Sequence, residues 1–310
     1  MSPYLLSCPD MPSRPDRATL AAFVGSALIG GSNVVAVRLS NRELPPFWGA
    51  GLRFTAAALL MLALVRLRRL PLPRGRALVG TAGFGMLNFA VSYALFYRGA
   101  VHVPAGLAGT IMSSVPLLTL FLALAHRQES FRPRGLAGAA LAIAGVAIML
   151  AEPPGGPLPM GSVLLIVGSA FCAAESGILV KWIPDTHPIT TNAIAMAIGT
   201  PFLFVLSRVA GEPWDLPATP GTWAVLGYLA VVTPLLFILY VFVLNRWTAS
   251  AVSYMFVLLP LVAAVLGLLV ADEPVTASLL LGAPLVIAGV WVGALAKEPV
   301  PAATPAEPPV

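Results

Sequence analysis

The chain has 310 residues, of which 58% are hydrophobic and 10% charged, and its mean hydropathy is +0.89. Soluble domains carry about 25% charged residues, so this composition excludes a protein whose main solvent is water. The net charge of +5 does not point to nucleic acid either, because the basic residues gather at the ends of apolar runs, where they set membrane orientation and touch anionic lipid.

Residues 1–17, rich in Pro, Ser and Arg, read as a disordered cytoplasmic tail. Ten apolar runs follow, near 18–37, 46–65, 77–97, 105–125, 135–151, 161–180, 189–207, 221–244, 249–270 and 276–296. Each approaches the roughly 20 residues that cross a bilayer. The first is of span length without a small-x-small cleavage site, so it reads as a span and not a signal peptide. It ends in Gly31-Ser32-Asn33, and Arg53 comes early in span two. Span three gathers Asn88, Ser92, Tyr93, Phe96 and Tyr97, and spans four and nine each place a proline, Pro116 and Pro260, near their middles. Residues 152–160 form a Pro/Gly linker that breaks any helix. Glu175 is the sole acid inside a span, and span eight contributes Thr233, Phe237 and Tyr240. Residues 297–310 read as a flexible cytoplasmic tail.

Residues 105–150 align without a gap on 249–294 at an offset of 144, pairing Ala105, Pro116, Glu129, Gly138 and Gly145 with Ala249, Pro260, Glu273, Gly282 and Gly289. A weaker echo pairs Gly25-Ser26-Ala27 with Gly168-Ser169-Ala170. The chain therefore reads as a duplicated membrane unit, 18–151 and 161–296. Five spans per half is an odd number, so the halves enter the membrane in opposite orientation. The expected fold is all-α and integral to the membrane, with ten transmembrane helices as two inverted five-helix repeats. With both termini cytoplasmic, thirteen basic residues fall inside and four outside, the bias expected of cytoplasmic loops.

Inverted repeats point to transport by alternating access, with the substrate near the midplane between the halves. Charges in hydrocarbon cost at least about 2.5–3.5 kcal/mol on insertion scales, which singles out Arg53 and Glu175. Glu175 lies about 14 residues, or roughly 21 Å, from the outer end of its span. It reads either as a proton-coupling or substrate-amine group in a cavity, or as the partner of a neighbouring polar group. Arg53 reads as an anchor for a substrate carboxylate or, the favoured reading, as a structural group. An ion pair between the two is not favoured, because their depths differ. Asn33, Asn88, Ser92, Tyr93, Phe96, Phe237 and Tyr240 are candidate lining of an aromatic cavity; singly, each is better read as packing or helix stitching. Pro116 and Pro260 read as pivots or as static kinks. Trp48, Trp182, Trp223 and Trp247 read as interfacial anchors. Gly289 and Gly293 form a G-x-x-x-G, which favours close helix packing within the chain or across a homodimer.

The Gly-Ser-Asn corner, Arg53 and the repeated Ala…Pro…Glu…Gly…Gly set together resemble the EamA-type branch of the drug/metabolite transporter superfamily, whose members carry two five-span units. The aromatic residue that usually precedes Gly-Ser-Asn there is replaced by Gly30. The resemblance implies a secondary transporter, an exporter of small metabolites such as amino acids or related amphipathic compounds. The expected partners are a small-molecule substrate, membrane lipid and, as candidates, protons and a second copy of the chain. No cofactor, metal or nucleic acid is expected, since no Walker pattern occurs. Abundant Ala, Arg, Gly and Pro place the chain in a bacterial inner membrane. The alternatives are an uncoupled facilitator and a lipid-modifying membrane enzyme. The enzyme is disfavoured because His102, His126 and His187 are scattered over different loops.

Overall fold

The computed structural model describes residues 16–103, 108, 111–129, 131, 133–149, 159–183, 186–270 and 277–295. Residues 1–15 of the N-terminal tail, the C-terminal tail, most of the 152–160 linker, Ala105 and the Ala271-Asp272-Glu273-Pro274 loop lie outside them. Among the described residues the secondary structure is helical, without strands. The helices are α1 (Arg17–Ser40), α2 (Pro46–Leu67), α3 (Arg76–Ala100), α4 (Val115–Ala125), α5 (Pro133–Met149), α6 (Met160–Val180), α7 (Pro188–Val209), α8 (Pro220–Leu244), α9 (Ala249–Ser253), α10 (Met255–Val270) and α11 (Ala277–Val290). Six of them, α1–α3 and α6–α8, are long and apolar enough to cross a membrane, and three apolar stretches, Val115–Ala125, Ala249–Val262 and Leu280–Gly293, are shorter. Leu28, Leu59, Val79, Leu164, Phe171, Val205 and Val231 are exposed on their surfaces, as suits helices with lipid on one side and protein on the other.

A helix end in or near hydrocarbon needs partners for its free N–H groups. Asp16 accepts from Thr19 N (2.8 Å) to start α1, while Thr219 and Thr248 cap α8 and α9 in the same way. Three carboxylates cap helix starts from distant segments. Glu212 accepts from the N–H groups of Phe47 and Trp48 (3.1 and 2.8 Å) at the start of α2. Glu43 accepts from Ala218, Thr219 and Thr222 at the start of α8. Glu129 accepts from Ser250 N (3.1 Å) in the first turn of α9. In each case negative charge meets the positive end of a helix dipole. Gly211, at φ +67°, lets α7 close with Glu212 N–H bonded to Ser207 O (3.0 Å), so Glu212 directly follows the helix end.

Small residues bring the helices together. A Cβ at Gly138 would stand 2.5 Å from Gly293 N and 2.7 Å from Gly289 O, and one at Gly145 would stand 2.8 Å from Gly282 O. Helices α5 and α11, the latter extended by the π-wound turn Trp291–Leu295, therefore run antiparallel in backbone contact. The G-x-x-x-G face is thus used inside the chain. These contacts also join equivalent positions: Gly138 with Gly289 is matched by Gly282 with Gly145. The same holds farther away, where Gly25 faces Leu239 (3.4 Å from a Cβ position) and Gly168 faces Leu95 (3.3 Å), again equivalent pairs in the sequence repeat.

Two spans expected to be continuous are broken. Span four has a turn at Ser113–Ser114, so α4 begins at Val115 and Pro116 stands in its first turn. Proline's missing N–H costs nothing there, and Pro116 does not kink a helix centre. Span nine is interrupted at Tyr254, whose hydroxyl donates to Gly135 O (2.5 Å), and Pro260 lies inside α10. Trp48 and Trp247, expected at lipid interfaces, are buried: Trp48 stacks on Trp214 at 4.8 Å and Trp247 packs edge-on against Phe23 at 5.5 Å. Trp182 and Trp223 are exposed at helix ends, as interfacial anchors would be.

Candidate functional site

Arg53 is the largest fully buried side chain among the described residues, 1% exposed, two turns into α2. Its Nε donates to Thr233 Oγ1 (2.7 Å), one Nη to Tyr97 OH (3.2 Å) and the other to Asn33 Oδ1 (3.1 Å). One guanidinium thus ties α1, α3 and α8 to α2. Its carbon lies 4.9 Å from the Phe54 ring centre and 5.5 Å from that of Tyr93, a cation–π setting. All three acceptors are neutral, and among the described residues no carboxylate forms an ion pair with Arg53. Burying a cation without a counter-charge is expensive. The adjoining Nδ2 of Asn33 is buried with no hydrogen-bond partner.

Aromatic rings continue from this corner toward the middle of the bundle. Phe54 meets Tyr93 at 4.7 Å and Phe89 at 5.4 Å, Phe89 meets Phe237 at 4.6 Å, and Phe237 meets Tyr240 at 6.3 Å. Of the sequence candidates, the structure therefore brings Asn33, Arg53, Tyr93, Phe237 and Tyr240 into one connected cluster. Phe96 lies at its edge, where it lines a cavity of about 30 Å³ with Val34, Val37 and Asn41 of α1 and its C-cap and Ala100 of α3.

Asn88 and Ser92 do not join this cluster. Residues Gly85–Ser92 of α3 are wound as a π-helix, and the rows 88/92 and 89/93 meet different neighbours. Ser92 donates to Ser169 O (3.0 Å) and Ser176 donates to Asn88 Oδ1 (3.3 Å), so this row stitches α3 to α6. Ser92 and Tyr93 part because adjacent residues on a helix point roughly a quarter turn apart.

Glu175 stands apart from Arg53. Its Oε1 lies 3.0 Å from His126 Nε2, and the His126 ring packs edge-on against Trp182 at 5.1 Å. This pair sits at the end of the bundle where α4 and α6 finish. Beside it, Lys181 donates to the carbonyl oxygens of Leu244 and Trp247 at the end of α8, and Gln128 donates to Ile178 O (3.1 Å). Burial pulls the Lys181 ammonium down to about 8, against the opposing pull of Glu129. Among the described residues no three His, Cys, Asp or Glu side chains gather as a metal site.

Sequence reasoning misses the pairing of His126, the rings of Phe54 and Phe89, and the three capping carboxylates. For His126 a signal exists: spans four and six end on the same face, so residues near both ends share a depth. For Glu43 and Glu212 there is none, because their partners lie 164 to 179 residues away.

The model of the EamA-like transporter family matches residues 17–151 and again 160–294. The chain belongs to the EamA-like transporter family. Relatives agree with this. The chain is 36% identical over 252 residues to the uncharacterized inner membrane transporter YedA of Escherichia coli K12, covering 77% of this chain and 78% of that protein. It is 28% identical over 276 residues to a probable amino-acid metabolite efflux pump of Salmonella typhimurium, covering 86% and 91%. A solved crystal structure superposes with a TM-score of 0.73 at 19% identity, over 90% of this chain and 96% of that one, a likeness of fold alone. This EamA-like protein is thus a member of a family of transporters, not enzymes.

Proposed function

We propose that this chain is a secondary transporter of the bacterial inner membrane that exports small organic metabolites, amino acids and related amphipathic compounds, by alternating access. Ten transmembrane helices form two inverted five-helix repeats, 18–151 and 161–296, with both termini cytoplasmic. The observation that carries this reading is the doubled set of contacts: Gly25 on Leu239 with Gly168 on Leu95, and Gly138 on Gly289 with Gly145 on Gly282. Two halves packed through equivalent contacts can exchange conformations at little net cost, and that exchange moves a central site from one side to the other. Substrate lies against Tyr93, Phe237 and Tyr240 beside Arg53, and the turns next to Pro116 and Pro260 act as pivots. The bacterial relative described as an amino-acid metabolite efflux pump supports the substrate class.

Protons couple through Glu175, whose Oε1 stands 3.0 Å from His126 Nε2. The test is counterflow in proteoliposomes with a pooled labelled amino-acid and metabolite mixture, comparing wild type with Glu175→Gln at two pH values. Saturable wild-type flux that loses its pH dependence in the variant supports both carriage and coupling. Equal pH responses make the protein an uncoupled facilitator and Glu175 structural, and no wild-type flux refutes the transporter reading.

A further inference from the structure

We infer that the Arg53–Asn33 corner is the binding point for a carboxylate, so that the transported solutes carry a free carboxylate next to an apolar body. The inference rests on the transport reading above and adds the chemistry by which the site selects.

Four observations lead to it. First, Arg53 is buried with its charge uncompensated: its bonds run to Thr233, Tyr97 and Asn33, all neutral. The described acids other than exposed Asp215 are occupied elsewhere, Asp16, Glu43, Glu129 and Glu212 on helix starts and Glu175 on His126. Second, donors remain. A guanidinium has five N–H groups; three are used on Thr233, Tyr97 and Asn33, and the Tyr93 hydroxyl also bonds to the guanidinium, which leaves one. Asn33 uses its Oδ1 on Arg53, which leaves Nδ2 as a buried donor with no acceptor, on a residue 5% exposed. The remaining guanidinium N–H and the Asn33 Nδ2 beside it present donors only, and a carboxylate, with two acceptor oxygens, suits such a pair.

Third, the scaffold does not require the charge. Helix α7, the counterpart of α2 in the second half, carries no charged side chain before Arg208 in its last turn, so the second half packs this region with neutral side chains. A group needed only for packing would be matched by packing in both halves; a group for one ligand is needed once. Fourth, the surroundings fit the rest of such a solute. The Phe54 and Tyr93 rings face the guanidinium, and Phe237 packs on Tyr93 at 6.2 Å. The 30 Å³ cavity between Val34, Val37, Phe96 and Ala100 lies one turn along α1 and α3 from Asn33 and Tyr97.

The experiment is counterflow in proteoliposomes with labelled leucine and phenylalanine against leucinamide and phenylalaninamide, for wild type, Asn33→Asp and Arg53→Lys. Asn33→Asp supplies Arg53 with an internal carboxylate, so the variant folds with equal or higher thermal stability yet has its site already filled. The expected result is that wild type carries the acids about tenfold or more better than the amides, as one charge-assisted bond is worth, and that Asn33→Asp loses this preference. Arg53→Lys keeps the charge without the fork and is expected to lose most of it. Wild type carrying acids and amides equally, or Asn33→Asp slowing both alike, overturns the inference while leaving transport intact. Carriage only of pooled solutes that lack a carboxylate does the same. A wild type that carries nothing overturns the transport reading and this inference together.

Discussion

The substitution Gly85→Ala isolates how tightly α3 meets α7. A methyl group at Gly85 would stand 2.4 Å from Ala195 O, 2.8 Å from its Cα and 2.9 Å from its carbonyl carbon. All three are backbone atoms, so no rotamer change relieves the overlap. Gly199, on the facing helix, is equally close to Gly85 O, 2.6 Å from its own Cβ position. Carbon atoms at rest sit about 3.5–4.0 Å apart, so the helices must separate by about 1 Å, which forfeits a quarter to a half of the dispersion attraction across the contact. Overpacking of this kind costs about 1–3 kcal/mol. Helix α3 also carries Tyr93 and Tyr97, so the shift loosens the Arg53 cluster as well. The control is Gly227→Ala, whose methyl meets nothing within 4 Å. Thermal unfolding of the two purified variants in the same detergent is expected to show Gly85→Ala lower by several degrees and Gly227→Ala unchanged. Equal melting temperatures would refute the claim that α3 and α7 touch through their backbones.

The glycine contacts rank further variants: Gly138→Ala, which meets backbone at 2.5 Å, is expected to destabilise strongly, while Gly168→Ala, which meets only the mobile tip of Leu95 at 3.3 Å, is expected to be mild; the same melting assay compares them. Hydrogen bonds from Thr222, Thr219 and Ala218 hold the Glu43 carboxyl down at about 2. Its stabilising effect is therefore full above the ordinary value near 4.5 and is lost as pH falls toward 2. Amide exchange at Ala218 and Thr219 is expected to quicken over that window in wild type, and to be fast with little pH dependence beyond the chemical rate in Glu43→Gln. For Lys181, burial lowers the ammonium to about 8 from 10.5, so between those values the unfolded chain binds the extra proton and stability rises with pH. Melting temperatures at about pH 8, 9 and 10, which lie within that interval, are expected to show the rise in wild type but not in Lys181→Met; parallel curves would remove Lys181 as the cause.

Much of the family's architecture is legible in the amino-acid sequence. Helix type, membrane residence and the duplication follow from composition and from the 144-residue offset, because lipid demands long apolar helices and duplication leaves an alignable trace. Arg53 and Glu175 are legible as exceptional because charge in an apolar run has to be explained. What each one touches is not. Sequence alone favours a structural role for Arg53; in the fold it is bound to Thr233, 180 residues away, and to neutral groups only. Glu175 reads as a lone acid, yet its neighbour His126 sits 49 residues earlier on another segment.

By itself, then, the sequence determined solvent, secondary structure, repeat and the short list of polar residues, since these depend on local composition and period. Only the tertiary structure decided that Asn88 and Ser92 tie α3 to α6 while Tyr93 turns to Arg53. It also decided that Pro116 opens a helix, and that the glycines of α5 and α11 are spent on each other. The physical reason is the same for all three. Side-chain direction and helix packing depend on the phase of each helix about its own axis, and that phase is set by neighbours far away in the chain.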